Sequence, residues 1–200
     1  MKGKFIAIYG INNLGKTYQA ERLVKHLRNL GVAANYLKYP IYDSPSGKKI
    51  NDYLRHGSRE FGLTKDDAQT VYMQNRREFE PTLKRWLKDG ITIVAEDYTL
   101  TGIAWGMAEG WEEKKLLELN KGLLKPDLEI LMSVDNVADR FRQSIEPGHL
   151  NEANEAKIEL SRQYHLALAK QFYLPVIKAN QARNKVADRI WQLVKPLFTH

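Results

Sequence analysis

The chain has 200 residues, 43% of them hydrophobic and 28% charged, which is enough for one α/β domain with a sizeable core. It contains no apolar run of the roughly 20 residues that cross a membrane, and the lack of cysteine excludes a disulfide framework or a thiolate metal site. The formal net charge of +7 favours anionic partners, but the basic residues form no run, which argues for phosphorylated small molecules rather than nucleic acid.

A buried strand is predicted at 5–9, where a short apolar run with β-forming residues ends in glycine and asparagine. The spacing of apolar residues then predicts a helix at 17–30, which Gly31 closes. The following elements, in chain order, are a strand at 32–37, a loop at 39–47, a helix at 48–54 and a loop at 56–63.

A long helix is predicted at 66–88, with Pro81 marking a kink or break. The next strand, at 91–95, has the most clearly buried pattern of the chain and ends in Glu96 and Asp97. The remaining predicted elements are helices at 100–108 and 112–119, a strand at 127–134, a helix at 137–143, an irregular segment at 144–151, a helix at 152–171, a strand at 176–179 and a helix at 184–197.

This alternation of strands and helices predicts the fold class. Strands separated by helices form a parallel sheet with helices on both faces. We therefore expect an α/β fold with a five-stranded parallel sheet. Since the sequence shows no linker and no internal repeat, we expect a single domain over residues 1–200.

Residues 10–17 fit the pattern G-x-x-x-x-G-K-[ST], between a predicted strand and a predicted helix. The two glycines allow backbone angles with which amide groups point at phosphate oxygens, and the helix adds its free N–H groups. Lys16 supplies a charge for the β and γ phosphates, and the Thr17 hydroxyl is placed to bind Mg²⁺. We expect ATP with Mg²⁺ as cofactors, held by Gly10, Asn12, Asn13, Leu14, Gly15, Lys16, Thr17 and Tyr18.

This motif alone does not separate kinases from GTPases or ATP-driven motors. The Asn-Lys-x-Asp and Asp-x-x-Gly patterns of GTPases do not occur, and a motor ATPase is longer. The chain is therefore interpreted as a small kinase of the nucleotide type, a single P-loop kinase domain over residues 1–200 with an α/β fold of the P-loop NTPase type.

Five further segments follow in a fixed order, and they are Lys38-Tyr39-Pro40, Tyr72-Met73-Gln74-Asn75-Arg76, Glu96-Asp97-Tyr98 with Gly102 and Trp105, Lys125-Pro126-Asp127, and Val134-Asp135 with Arg140. In their order and spacing they resemble the thymidylate kinase family, which transfers a phosphoryl group from ATP to dTMP. The resemblance runs from Phe5 to about Trp191. It implies a dTMP-like acceptor and a possible homodimer.

The resemblance also implies roles for individual residues. Tyr72 would stack on a pyrimidine ring, and Arg76, one helical turn away, would hold the base edge or the acceptor phosphate. Lys38 would neutralise the acceptor phosphate, and Trp105 would lie under the sugar. The full set of expected acceptor-binding residues is Lys38, Tyr39, Pro40, Tyr72, Arg76, Asp97, Tyr98, Gly102 and Trp105.

A mobile lid, placed at about 141–152, is a further feature of the family. Because positions 11–14 carry no basic residue, the cation that stabilises the transferring phosphoryl is expected from Arg142 or Arg140, with Arg162 a weaker candidate. Glu96 is expected to act in catalysis with Lys16 and to bind the metal with Thr17. Because adjacent strand residues point to opposite faces, only one of Glu96 and Asp97 is expected to reach the metal.

The chain departs from the family pattern at three positions. Asn12 replaces an acidic residue, Tyr9 replaces a glutamate, and Asp97 replaces the arginine that contacts the acceptor phosphate. Three alternatives therefore stay open: a less charged acceptor, a deoxynucleoside kinase with Glu96 as base, or a homologue that binds nucleotide without turnover. The sequence predicts a cytoplasmic protein with no nucleic-acid or membrane partner.

Overall fold

The computed structural model describes residues 2–56, 65–139 and 154–198. Their core is one sheet of five parallel strands in the order β2-β3-β1-β4-β5, which confirms the predicted architecture. The strands are β1 (Phe5–Tyr9), β2 (Ala34–Lys38), β3 (Thr92–Glu96), β4 (Leu128–Ser133) and β5 (Val176–Lys178).

Helices cover both faces of this sheet. They are α1 (Lys16–Asn29), α2 (Pro45–His56), α3 (Lys65–Lys88), α4 (Thr99–Ala108), α5 (Glu113–Leu119), α6 (Glu155–Gln171) and α7 (Arg183–Val194), with 3₁₀ turns at Val137–Asp139 and Lys195–Leu197. In the described parts of the chain, none of these helices has the length and apolarity needed to cross a bilayer.

The central strand divides the core into two layers because its side chains alternate. Ile6 and Ile8 pack with α1 and α7, whereas Phe5, Ala7 and Tyr9 pack with residues of α3, α4 and α6. All five residues of β1 and of β3 are buried, which fits the continuous apolar run of β1 and the apolar centre of β3.

The register of the sheet positions the site. Ile8 of β1 pairs with Glu96 of β3, so the loop after β1 and the acidic end of β3 emerge side by side. β1 also pairs with β4 on its other edge, and the strand order therefore reverses direction at β1. A crevice at the carboxyl ends of the strands is expected at such a reversal.

Helix α2 begins at Pro45, three residues before the predicted start, so the predicted loop at 39–47 is too long. Proline fits the first turn of a helix because its missing N–H has no partner to lose there. The Ser44 hydroxyl also accepts a hydrogen bond from the Gly47 N–H at 3.0 Å, which stabilises this start.

Pro81 does not break α3, which continues from Lys65 to Lys88. Leu83 and Leu87 are buried beyond the proline, and the rings of Phe79 and Trp86 contact each other across it at 5.4 Å between centroids. Packing on both sides therefore outweighs the lost backbone hydrogen bond.

The predicted helix at 137–143 is seen only as the turn Val137–Asp139. Its remainder and the lid expected at 141–152 lie outside the described residues. Beyond them α6 begins at Glu155, and the side chain of Asn154 caps it by accepting a hydrogen bond from the Lys157 N–H at 3.0 Å.

Candidate active site

The loop after β1 has the backbone that phosphate binding requires. Gly10 has φ 146° and Gly15 has φ 77°, and Asn13 between them is also left-handed at φ 65°. A Cβ on Gly10 would lie 2.4 Å from the Met132 carbonyl oxygen, so only glycine fits there. Left-handed residues of this kind form a concavity of amide groups that binds anions.

Lys16 is folded back across this loop. Its side chain is buried, and its ammonium donates a hydrogen bond to the Ile11 carbonyl at 2.8 Å. The Nζ atom also lies 3.6 Å from Oδ2 of Asp97. The loop therefore holds one buried positive charge, compensated in part by a carboxylate from β3's end.

Glu96 is enclosed by donors at the mouth of the loop. Its Oε2 accepts hydrogen bonds from the Thr17 hydroxyl at 2.7 Å and from the Tyr36 hydroxyl, and its Oε1 lies 3.6 Å from the half-exposed Lys38 ammonium. Burial opposes ionisation, but the charges of Lys16 and Lys38 and these hydrogen bonds lower the pKa of Glu96. Glu96 is therefore an ionised carboxylate next to a hydroxyl.

The side chains of Glu96 and Asp97 both line the cleft, whereas strand alternation predicts that they point to opposite faces. Asp97 lies beyond the last residue of β3 with φ 57°, so the alternation of a strand does not apply to it. Glu96 meets Thr17 while Asp97 meets Lys16, and Thr101 donates a hydrogen bond to Oδ1 of Asp97 at 2.7 Å. Burial raises the pKa of Asp97 to about 6, although the charge of Lys16 opposes this shift.

Arg76 of α3 is a buried cation at the other end of the site. Its Nη1 donates to the Asn120 side chain at 3.2 Å, while its Nε has no hydrogen-bond partner in the described part of the chain. In the described ranges, no carboxylate lies within ion-pair distance of it. The hydroxyls of Tyr39 and Tyr98 are also buried, with no hydrogen-bond partner from the residues that the structure describes, and burial lowers the pKa of Arg76. A buried guanidinium with a spare donor fits an anionic or carbonyl ligand.

Gly102 of α4 makes room for this guanidinium. A Cβ at position 102 would lie 2.3 Å from Nη2 of Arg76. We therefore expect Gly102→Ala to displace Arg76. Since the sequence predicts that Arg76 holds the acceptor nucleotide, KM for that nucleotide should rise about tenfold or more, which corresponds to ~1.4 kcal/mol of lost binding. Steady-state kinetics would check this, and an equal rise in KM for ATP would contradict it.

Tyr72 and Trp105 form the wall beyond Arg76. Tyr72 is half-buried one turn before Arg76 on α3, and Trp105 of α4 is 8% exposed. The Lys157 ammonium lies 5.9 Å from the Trp105 ring centroid and forms an ion pair with Oε1 of Glu109 at 2.6 Å. The other oxygen of Glu109, Oε2, accepts a hydrogen bond from the Gln69 side chain at 3.2 Å. This end of the site therefore combines two aromatic rings with a hydrogen-bonded polar array.

A single cleft of about 960 Å³ joins the loop of Lys16 to this aromatic end. Except for Gly10, which packs against β4, it is lined by every predicted site residue that the structure describes: Asn12, Asn13, Leu14, Gly15, Lys16, Thr17, Tyr18, Lys38, Tyr39, Pro40, Tyr72, Arg76, Glu96, Asp97, Tyr98, Gly102 and Trp105. The predicted catalytic residues Arg140 and Arg142 lie outside the described residues. Arg162 does not line the cleft, since it pairs with Glu159 at 2.6 Å and donates to the Val134 carbonyl.

The segment that joins β5 to α7 was not among the predicted site residues. Gln181 of this loop and Arg183, the first residue of α7, line the cleft, and the Arg183 guanidinium lies 5.0 Å from the centroid of the Tyr18 ring. The Gln19 side chain holds this loop by donating to the Arg183 carbonyl at 3.0 Å. One signal could have revealed it, because a segment that follows a parallel strand lies at the same edge of the sheet as the phosphate-binding loop.

His165 of α6 supports the floor of the site. Its Nδ1 lies 2.8 Å from the Ser161 carbonyl and therefore carries the proton, while Nε2 lies 3.5 Å from the Thr101 hydroxyl. Burial lowers the pKa of His165 to about 4. The folded protein thus keeps this imidazole neutral.

This depressed pKa predicts an acid-dependent loss of stability. Between pH 6.5 and 4 the unfolded chain binds a proton at His165 that the folded protein excludes, so stability falls as the pH falls. Between pH 7 and 4 the wild-type protein should lose on the order of 2–3 kcal/mol more than His165→Gln. Urea unfolding at both pH values would measure this, and equal losses would show that His165 is not the group responsible.

Known proteins share both the sequence pattern and the fold of this chain. The family model described as thymidylate kinase matches residues 8–190. A thymidylate kinase of Danio rerio is 30% identical over 139 residues, which cover 68% of this chain and 64% of the relative. The chain therefore spans just under two thirds of that protein's length. A thymidylate kinase of Dictyostelium discoideum is 26% identical over 190 residues, or 94% of this chain and 83% of the relative.

The fold is also that of a solved structure. A thymidylate kinase from Candida albicans superposes with a TM-score of 0.83, covering 98% of this chain and 92% of the other at 23% identity. The arrangement of sheet, loop and helices described above is therefore one that an experimentally determined protein adopts.

Proposed function

The chain belongs to the thymidylate kinase family, and from this premise we propose that it transfers the γ-phosphoryl group of ATP to a nucleoside monophosphate, with dTMP as acceptor and dTDP as product. One observation carries the proposal: a single cleft joins a phosphate-binding loop to a buried guanidinium that lies beside two aromatic rings and has no carboxylate partner among the described residues. Such a cleft suits two anionic ligands bound end to end.

On the donor side, the loop binds the polyphosphate and Lys16 moves to it. In the structure the ammonium bonds a carbonyl of its own loop at 2.8 Å, and its ion pair with Asp97 is long at 3.6 Å. A bound triphosphate offers stronger charge-assisted hydrogen bonds than these partners. Lys16 therefore becomes a counter-charge for the β and γ phosphates, and the loop between β5 and α7, with Arg183, faces the nucleoside end of the donor.

Thr17 and Glu96 fit a bound Mg²⁺. Hydroxyl and carboxylate oxygens are the hard ligands that Mg²⁺ prefers, and these two groups lie 2.7 Å apart beside the loop. The lowered pKa of Glu96, which the charges of Lys16 and Lys38 maintain against burial, keeps the carboxylate ionised for this role. When bound, the ion neutralises charge on the β and γ phosphates.

On the acceptor side, Arg76 and Tyr72 orient the monophosphate. The free Nε of Arg76 supplies a hydrogen bond to the base edge or to the phosphate, and Tyr72 offers its ring as a stacking surface. Trp105 closes the cleft beneath the sugar. Holding both substrates in line is the main task of such an enzyme, because phosphoryl transfer needs positioning and charge stabilisation more than covalent chemistry.

We further propose Arg142 or Arg140 as the cation that stabilises the transferring phosphoryl. Among residues 10–17 Lys16 is the sole cation, and a single ammonium leaves part of the developing charge without a partner. Both arginines lie outside the described residues. The absence of cysteine is compatible with a reducing cytoplasm, where we place the activity.

A coupled assay tests the proposed function. The purified protein with Mg²⁺ and ATP should convert dTMP to dTDP faster than it phosphorylates any ribonucleoside monophosphate, because Trp105 fills the space beneath the sugar. Calorimetry with ATP and Mg²⁺ measures ATP affinity separately from turnover. Tight ATP binding without turnover of any monophosphate would contradict the proposal and favour a nucleotide-binding role.

A further inference from the structure

The middle of the cleft carries a carboxylate where two phosphates would meet. Asp97 lies between the donor and acceptor ends, because its Oδ2 faces Lys16 at 3.6 Å while Thr101, which holds its Oδ1, is followed by Gly102 against Arg76. Its side chain is 16% exposed and lines the cleft.

The two carboxylates at this point are not equivalent. Both oxygens of Glu96 are engaged, by Thr17 and Tyr36 at Oε2 and by Lys38 at Oε1. The Oδ2 atom of Asp97 has only the long contact with Lys16, and no donor of the described residues lies within hydrogen-bond distance of it. Oδ2 of Asp97 is thus available in the cleft to accept a hydrogen bond from a ligand.

A carboxylate in this position discriminates by charge. A dianionic phosphate in contact with this carboxylate would be repelled by it, because both groups carry negative charge. A hydroxyl group carries no charge and donates the hydrogen bond that Oδ2 lacks. The position therefore suits an alcohol as the attacking group.

We propose that the same cleft also phosphorylates the 5′-hydroxyl of a pyrimidine deoxynucleoside, with Asp97 as the catalytic residue that accepts the hydroxyl's hydrogen bond. This second activity rests on the proposed function, since it uses the same ATP site and the same base-binding wall. With thymidine as substrate, this second activity produces dTMP, which is the acceptor in the proposed transfer from ATP.

The step balances with groups already described. The 5′-oxygen forms a bond to the γ-phosphorus, and the bond from that phosphorus to the oxygen bridging the β and γ positions breaks. The electron pair of the broken bond stays on ADP, with Lys16 as its counter-charge. The hydroxyl proton passes to Oδ2 of Asp97, while Thr101 holds Oδ1 in place.

The variant Asp97→Asn tests the proposal, because the two acceptors should respond in opposite directions. Its kcat/KM for thymidine should fall about 100-fold or more, the usual contribution of a general base. For dTMP, kcat/KM of the same variant should rise about tenfold, because asparagine keeps the shape of aspartate but removes a negative charge that repels the phosphate. The readout is product formation from ATP with thymidine or dTMP as the sole acceptor, at saturating Mg²⁺.

Two further variants complete the design. Asp89→Asn changes an exposed aspartate after α3, at the opposite edge of the sheet, and should alter neither rate. Thr101→Val removes the hydrogen bond that orients Asp97 and should lower the thymidine rate more than the dTMP rate, which keeps the test valid if Asp97→Asn does not fold.

The outcomes separate the two proposals. If wild-type protein converts dTMP but not thymidine, the inference is overturned and the proposed function stands. If Asp97→Asn lowers both activities by the same factor, Asp97 only orients Lys16, and the inference is likewise overturned. Opposite changes for the two acceptors would establish it.

Discussion

Replacing Lys16 by alanine should abolish phosphoryl transfer, with kcat falling by about three orders of magnitude. The reason is position: this ammonium is the one side-chain cation inside the phosphate-binding loop, buried at 4% exposure. Charge that develops on the transferring group would then lack its nearest fixed partner. The measurement is the rate of dTDP formation at saturating ATP and dTMP.

The control for this variant is Lys25→Ala, on the exposed face of the same helix. It removes an equal charge and should leave kcat unchanged. Circular dichroism would verify that Lys16→Ala is folded, since the variant leaves Asp97 without its ion-pair partner. Retention of more than a tenth of the wild-type kcat would show that the loop does not bind the reacting phosphates.

Replacing Arg76 by methionine should raise KM for dTMP about 100-fold, because charge-assisted hydrogen bonds contribute roughly 1.5–3 kcal/mol each. The same variant should not lower the melting temperature, and we expect it to rise. In the folded protein burial lowers the pKa of Arg76, and within the described residues no carboxylate compensates its charge. A buried charge without a partner lowers the stability of the folded protein. Methionine has a side chain of similar length but no charge, so it avoids this cost.

Arg77→Met is the matched control, since Arg77 is the exposed neighbour on the same helix and does not line the cleft. It donates to the carbonyls of Leu119 and Lys121, so its loss should lower stability slightly and leave KM for dTMP unchanged. An unchanged KM in Arg76→Met would remove Arg76 from the acceptor site. A lowered melting temperature would show that its charge is compensated in the folded protein.

The parts of the site that the sequence predicted are those encoded by local pattern. The phosphate-binding loop needs glycine where φ is positive, a lysine and a hydroxyl in fixed order, and a helix that starts at once. All of these conditions act over eight consecutive residues, so residues 10–17 could be identified without knowledge of the rest of the chain. The parallel sheet was predictable for a similar reason, because buried strands read as continuous apolar runs.

The relative orientation of the Glu96 and Asp97 side chains could not be predicted from local pattern. Strand periodicity predicted opposite directions, yet the positive φ of Asp97 brings both carboxylates to the same loop. Whether a strand continues for one more residue depends on what packs and bonds there, in this case Lys16 and the Thr101 hydroxyl. Both contacts come from other segments of the chain.

The sequence by itself therefore determined the class of the protein: a phosphate-binding loop on a parallel sheet, with a family resemblance that the comparisons confirm. Only the tertiary structure decided which groups share the cleft, such as the Glu109 array with Lys157 and Gln69, or Arg183 beside Tyr18. The physical reason is range. Backbone preferences and apolar periodicity act between near neighbours, whereas charge and hydrogen bonding in the cleft act between residues that only the folded sheet brings together.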